Sequence, residues 1–98
     1  MAGFEWDPAK EARNIKDRRI DFTTASLIWQ GRVYEKVDDR RDYGEVRVFA
    51  LGKTDGHILA VVFTWRGENR RIISARRAKA RERRLYEEEI RRTGAPPN

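Results

Sequence analysis

The sequence contains no cysteine and only one histidine, and this scarcity excludes several kinds of site. Without cysteine, neither a disulfide framework nor a thiolate metal centre can form. His57 has no second histidine with which to share a metal, and it follows Asp55 and Gly56, a pair typical of a hairpin tip. A glycine-rich phosphate loop and a nucleophile elbow are also missing. We therefore expect a surface histidine, no metal and no cofactor.

Long apolar segments are absent as well. The longest apolar run, residues 58–63, is far below the roughly 20 residues that a membrane helix needs. The first residues lack the basic stretch and apolar run of a secretory signal. We therefore expect a protein that does not contact a membrane and stays in the cytoplasm.

Positive charge, by contrast, is in excess. The chain has 22 lysines and arginines against 16 acids, a net charge of +6, and eight of those cations fall within residues 70–84. Because a cluster of one sign raises the local potential, a polyanion is the expected partner. For helix residues such as Arg83 and Arg84, a solvated face explains the pattern equally well. That alternative is weaker for strand arginines, which a stiff sheet holds in place.

Capping residues and apolar spacing predict the helices. Asp7 and Pro8 predict a helix that begins there and ends at about residue 18. Its predicted inward residues are Ala9, Ala12 and Ile15. Asp21 is suited to cap a second helix over residues 22–29, where apolar residues recur at helical spacing. A last helix is predicted over residues 78–92, and its candidate docking residues are Ala78, Leu85, Tyr86 and Ile90.

Between the helices the hydrophobic period changes to two, which is typical of strands. The predicted strands cover residues 33–38, 45–52, 58–65 and 70–77. We therefore predict an α+β fold with two N-terminal helices, an antiparallel sheet of about four strands and a C-terminal helix. Residues 1–92 are expected to form a single domain, and residues 93–98 a disordered tail.

Polar residues of the predicted sheet suit RNA cleavage without a metal. Cleavage through the RNA's own 2′-hydroxyl needs a base, cations for the phosphate oxygens, and an acid for the leaving oxygen. Glu45 and Arg47 are two residues apart on a predicted strand and so share a face, which Arg76 can approach from the last strand. Arginine has a planar fork that matches two phosphate oxygens. An ordinary ion pair between Glu45 and Arg47 is the alternative, and the residues alone favour it.

Two segments carry a more specific signal: residues 4–10, FEWDPAK, and residues 71–76, RIISAR. Further matching residues are Asn14, Asp21, Phe22, Ala25, Asp42, Tyr43, Gly44, Glu45, Arg47, Leu51, Gly52, Arg77, Ala78, Glu82, Arg83, Arg84, Tyr86 and Glu87. Together they resemble the BrnT toxin family of the wider RelE-like group of ribonuclease toxins. The resemblance implies a RelE-like fold and translation arrest by RNA cleavage. It also implies a ribbon–helix–helix antitoxin that binds operator DNA. The toxin would then be linked to the operator only through the antitoxin.

One segment departs from the family pattern. Members usually carry Lys-His-Gly between the first two helices, and the matching residues here are Asp17, Arg18 and Arg19. If the histidine moves protons in relatives, this chain is slower or uses a carboxylate. If the glycine closes the helix instead, Arg19 must do so at a conformational cost.

We accordingly assign a catalytic set in which Arg47 and Arg76 hold phosphate, Glu45 is the base, and Tyr86 is a proton donor or a stacking platform. The assigned RNA-binding residues are Arg71, Arg77, Lys79 and Arg83. The expected partners are RNA and an acidic antitoxin. A non-catalytic binding module, such as a decayed toxin kept as a co-repressor, is the alternative, and expression without a partner would distinguish the two. A basic chaperone or ribosome-binding factor has only the net charge in its favour.

Overall fold

The first element of residues 3–93, which a computed structural model describes, is a strand that the sequence did not predict. Strand β1 (Phe4–Trp6) runs parallel to the last strand of the sheet, and Glu5 lies opposite Arg71. A strand of three residues is too short to show a period of two, so its hydrophobic pattern carried no signal. From the sequence, Phe4 and Trp6 are predicted only to anchor the helix that follows.

The helix boundaries agree closely with their capping signals. Helix α1 (Pro8–Arg18) begins after Asp7, whose side chain accepts a hydrogen bond from the Ala9 amide at 2.9 Å. Helix α2 (Phe22–Ser26) begins after Asp21 in the same way and is continued by a 3₁₀ turn (Leu27–Gln30). The single helix predicted over residues 22–29 is therefore two short pieces.

Four antiparallel strands and a last helix complete the fold. They are β2 (Val33–Asp38), β3 (Arg47–Thr54), β4 (His57–Arg66), β5 (Asn69–Arg77) and α3 (Ala80–Arg92). The strand order is β1-β5-β4-β3-β2, so the predicted antiparallel strands are confirmed and β1 makes the sheet mixed. The turn between β3 and β4 uses Asp55 and Gly56 with φ of 53° and 77°. Positive φ at both central residues fits the right-handed twist of a hairpin.

Apolar cores lie on both faces of the sheet. On one face, α2 and its 3₁₀ turn bury residues such as Phe22 and Ile28 against Phe63 of β4. On the other, α3 covers Leu51 and Ala60 with the predicted docking residues Leu85, Tyr86 and Ile90, and Ala78, which precedes the helix, packs in the same cluster. Helices on both faces explain why β4 is apolar from Ile58 to Phe63.

Helix α1 packs differently from the prediction. Ala9, Ala12 and Ile15 are exposed, and Asn14 is the buried residue of the helix. The Asn14 amide donates to the Ile20 carbonyl at 2.8 Å, and its oxygen accepts from the Ala75 amide of β5 at 3.1 Å. The helix is thus held to the sheet by polar contacts, which a search for apolar periodicity does not detect.

Thr93 is the last residue that the structure describes. Thr93, predicted to be in the tail, follows α3 directly, and its amide donates to the Glu89 carbonyl at 3.1 Å. Residues 94–98 of the predicted tail lie outside the described residues. Within residues 3–93, every helix is too short or too polar to cross a membrane.

Candidate functional site

Helix α3 covers only part of the sheet face on which it packs, and a groove of about 570 Å³ lies beside it. The register places Arg76 opposite Ala60, next to the first turn of α3, while Ser74 lies farther along β5 and is exposed. The charged residues lining the groove are Lys36, Asp38, Asp39, Arg40, Arg76, Lys79, Arg81 and Glu82. Five are cations and three are carboxylates, so the lining is net positive.

Arg76 and Glu82 form the central ion pair of the groove. The two terminal nitrogens of Arg76 donate to the two Glu82 oxygens at 2.7 and 2.9 Å, and the Lys79 amide donates to the same carboxylate at 2.8 Å. Chiefly through the Arg76 hydrogen bonds, the pKa of Glu82 falls from 4.5 to about 2. Glu82 is therefore ionised at neutral pH and fixes the orientation of the Arg76 guanidinium.

A second ion pair lies at the β2 side of the groove. The Asp38 carboxylate, 5% exposed, accepts from Arg40 at 2.8 and 3.0 Å and from the Tyr43 hydroxyl at 3.2 Å. The Arg40 hydrogen bonds are the main cause of its lowered pKa. The sequence pattern did not predict this pair. Asp38 lies two residues after Lys36 on β2, so both side chains are on the groove face of the sheet.

Glu45 and Arg47 are brought together, but not on one strand as predicted. Glu45 lies in the bend before β3, and its carboxylate is 3.5 Å from both Arg47 and Arg66. Arg47 also stacks on Tyr43, with its guanidinium carbon 4.1 Å from the ring centre. The geometry is that of an ion pair braced by an aromatic ring, which matches the alternative drawn from the residues.

The register keeps Arg47 apart from Arg76. Arg47 on β3 lies opposite Thr64 on β4, and Arg71 on β5 lies opposite the same threonine. Arg76 on β5 lies opposite Ala60, four residues away from Thr64 along β4. Two strand spacings across and four residues along the sheet put the Cα atoms of Arg47 and Arg76 about 16 Å apart. The two arginines share a face of the sheet, as predicted, but they do not converge on one phosphate.

The other predicted site residues are scattered. Arg71 forms an ion pair with Glu5 at 2.7 Å. Arg77 is exposed and directly follows Arg76 on β5, so its side chain lies on the opposite face of the sheet from the groove. Arg83 is exposed outside the groove and donates to the Ala78 carbonyl at 2.9 Å. Lys79 is exposed and lines the groove. Of the eight assigned residues, the groove thus holds Arg76 and Lys79.

Tyr86 requires a correction. It is buried in the core beneath α3, and its hydroxyl donates to the Arg32 carbonyl at 2.9 Å. Burial raises the pKa of this hydroxyl, which disfavours its ionised form. A buried, hydrogen-bonded tyrosine packs α3 against the sheet and offers no surface on which a base could stack.

A second cavity, of about 300 Å³, lies between α1 and the edge of β5. Its lining consists of Lys10, Arg13, Asn14, Asp17, Arg18, Ile73, Ser74, Ala75 and Arg76. Arg18, which stands at the histidine position of the resembled family, is therefore next to the groove. Arg19 has φ of 62° and ends the helix in the left-handed conformation that glycine favours. Within residues 3–93, no three His, Asp or Glu side chains converge as a metal site.

Comparisons with known proteins agree with this architecture. The family model described as the ribonuclease toxin BrnT of type II toxin–antitoxin systems matches residues 6–82. The 1.1 Å crystal structure of the Brucella abortus ribonuclease toxin BrnT is similar to this chain, with a TM-score of 0.61 and 26% identity. The match covers 81% of this chain and 99% of the Brucella chain. No curated protein matches. The family match covers most of the sequence, and the chain therefore belongs to the BrnT family of ribonuclease toxins.

Proposed function

We propose that this chain is an endoribonuclease toxin that cleaves RNA without a metal in the groove beside α3, with Arg76 as its main phosphate-binding residue. Membership of the BrnT family implies RNA as substrate and an antitoxin as partner. The observation that carries the assignment to the groove is the Arg76–Glu82 pair, which presents an oriented guanidinium among four other cations.

The hydrogen bonds of Arg76 leave one edge of its guanidinium free. Nη1 donates to Glu82 and to the Arg77 carbonyl, and Nη2 donates once to Glu82. The Nε–H and the second N–H of Nη2 make no hydrogen bond to residues 3–93, and together they form the side-on fork of the guanidinium. Such a fork binds two phosphate oxygens at once. Glu82 thus acts as a positioning residue that aims Arg76 at the RNA.

The groove also supplies candidates for proton transfer. Asp39 is exposed, lines the groove and forms no ion pair with residues 3–93, so we assign it as the base for the 2′-hydroxyl. Lys36 and Lys79 are exposed, line the same groove and are suited to protonate the leaving 5′-oxygen. Glu45 remains the alternative base, and comparison of Asp39→Asn with Glu45→Gln in cleavage assays distinguishes the two assignments.

Arg76→Ala tests the assignment of the phosphate site. Because Arg76 would bind the phosphate most strongly as negative charge develops, its removal should lower the single-turnover rate about 10²–10³-fold. RNA affinity should fall much less. Arg84→Ala is the matched control, since it removes one exposed arginine outside the groove. Equal losses of affinity in both variants, with unchanged rates, would instead favour a non-catalytic binding module.

An acidic ribbon–helix–helix antitoxin is the proposed partner. Its negative charge would complement the cations of the groove and of α3, and complementary charge raises association rates in a salt-dependent way. We expect the rate constant for toxin–antitoxin association to fall steadily as salt rises. An association rate that does not change between low and high ionic strength would contradict electrostatic capture.

A further inference from the structure

The cavity beside α1 and the groove beside α3 are joined at β5. Ser74 and Arg76 line both of them, so a strand of RNA could pass from one to the other without leaving the surface. We infer that the α1 cavity is a second RNA-binding subsite, which holds the sugar–phosphate backbone of the strand that emerges from the groove. This inference rests on the function proposed above and extends it to α1 residues that the sequence analysis did not assign to RNA binding.

Helix geometry concentrates unpaired cations at this subsite. Lys10, Arg13 and Arg18 lie within an arc of roughly 140° around α1, and all three line the cavity. All three are exposed, and none forms an ion pair with residues 3–93. Asp17 is the acid of the cavity, so the lining from α1 has a net charge of +2 before Arg76 is counted. Because these cations are unpaired, a phosphate can bind them without first breaking an ion pair.

The edge of β5 is open where the subsite lies. Strand β1 pairs with β5 only as far as Ile72, and a register shift next to Phe63 leaves Ile73 as an extra residue. Bulges of this type bend a strand and are common next to functional sites. Ser74 follows the bulge and is exposed, so its side chain is accessible between the two cavities, whereas the amide of the buried Ala75 donates to Asn14.

The chemistry of the lining favours a nucleic-acid strand over an apolar partner surface. Most of the lining residues are charged or polar, and the apolar ones are Ile73 and Ala75. Lys10 and Arg18 are eight residues apart on the helix, which corresponds to about 12 Å along its axis. That span accommodates consecutive phosphates of an extended strand.

A triple substitution tests the subsite. Lys10→Gln, Arg13→Gln and Arg18→Gln together remove the charges and keep good helix formers. Binding would be measured by fluorescence anisotropy over a range of salt, with an uncleavable RNA whose 2′-hydroxyls are methylated. Two lengths, about 4 and about 12 nucleotides, span the site sizes of single-strand-binding proteins. A control triple variant carries glutamine at Lys16, Lys53 and Arg84, which are exposed and line neither cavity.

For the longer RNA we expect the α1 variant to bind more weakly, with a salt slope reduced by about 0.7 for each phosphate that the protein no longer neutralises. Binding of the shorter methylated RNA, and single-turnover cleavage of an unmethylated RNA of the same length and sequence, should stay close to wild type. Asp17→Asn should have the opposite effect and tighten binding of the longer RNA. A thermal melt of each variant confirms that it is folded.

Two outcomes would overturn the inference. One is an α1 variant that binds the longer RNA with the salt slope of the control triple variant. The other is loss of antitoxin binding with unchanged RNA binding, which would assign the surface to the protein partner. Failure of the proposed function is a separate result, because wild-type protein would then bind both methylated RNAs and leave their unmethylated counterparts uncleaved.

Discussion

Replacing Arg19 with glycine should leave the protein more stable than replacing it with alanine. Arg19 ends α1 with φ of 62° and ψ of 31°, and its amide donates to the Ile15 carbonyl at 2.9 Å. The side chain is exposed and makes no hydrogen bond or ion pair with residues 3–93, so its removal breaks no interaction of that kind.

The expected difference in folding stability follows from two opposing contributions to the free energy of unfolding. The left-handed conformation costs an ordinary residue about 1–2 kcal/mol, because its Cβ crowds the backbone. Glycine avoids that cost but loses about 0.4–1 kcal/mol more conformational entropy on folding. The midpoint of the difference is about 0.8 kcal/mol in favour of glycine. For a domain of this size, such a difference separates the Tm values of the glycine and alanine variants by about 3–6 °C.

The measurement is thermal unfolding followed by circular dichroism, and Arg19→Ala is the essential control. Both variants lose the same charge near the end of the helix, where a cation contributes about 0.3–1 kcal/mol, so that contribution cancels between them. Arg19→Gly should therefore unfold at a higher temperature than Arg19→Ala by the margin given above. A glycine variant no more stable than the alanine variant would refute the assignment of backbone strain to this residue.

Three further predictions concern the pair in the groove, the packing of the sheet, and metals. Because folding lowers the pKa of Glu82 from 4.5 to about 2, its stabilising effect is complete above pH 4.5 and disappears as pH falls through 2. Glu82→Gln should therefore lower the free energy of unfolding, measured by urea denaturation, at pH 7 and have little effect on it near pH 2. Gly52→Ala should destabilise by about 1–3 kcal/mol. Its Cβ would lie 2.6 Å from Ile28 Cβ, whereas Gly31→Ala meets open space and is the control. Cleavage should survive EDTA, and restoration of lost activity by magnesium would contradict the mechanism.

The antiparallel strands could be predicted from the sequence because their signals are local. Alternation between apolar and polar residues fixed β2, and the pair Asp55 and Gly56 fixed the hairpin between β3 and β4. Strand β1 could not be found this way, since its three residues become a strand only by pairing with β5, far along the chain. The orientation of α1 was missed for a related reason: Asn14 is buried by hydrogen bonds, which leave no apolar pattern.

The site was predictable only in part. Arg76 was identified because it lies in a specific motif at the end of a strand, and the structure places it in the groove. Asp38 and Arg40 were missed because a carboxylate beside an arginine is common in loops and shows no distinctive spacing. Tyr86 was both a candidate docking residue and a candidate catalytic residue, and its burial shows that packing alone explains its position.

The pairing of β1 with β5 has a consequence for how the protein folds as it is made. The hydrogen bond between Glu5 and Arg71 spans 66 residues, and at about 5–20 residues per second the ribosome takes roughly 3–13 s to make the chain between them. The hairpins of β2 to β5 join neighbours in sequence and can form as they emerge, whereas β1 must wait without a partner. Closing so long a loop is entropically costly, which makes it a slow step. Among the strands of the sheet, β1 is therefore synthesised before the others and is among the last to pair.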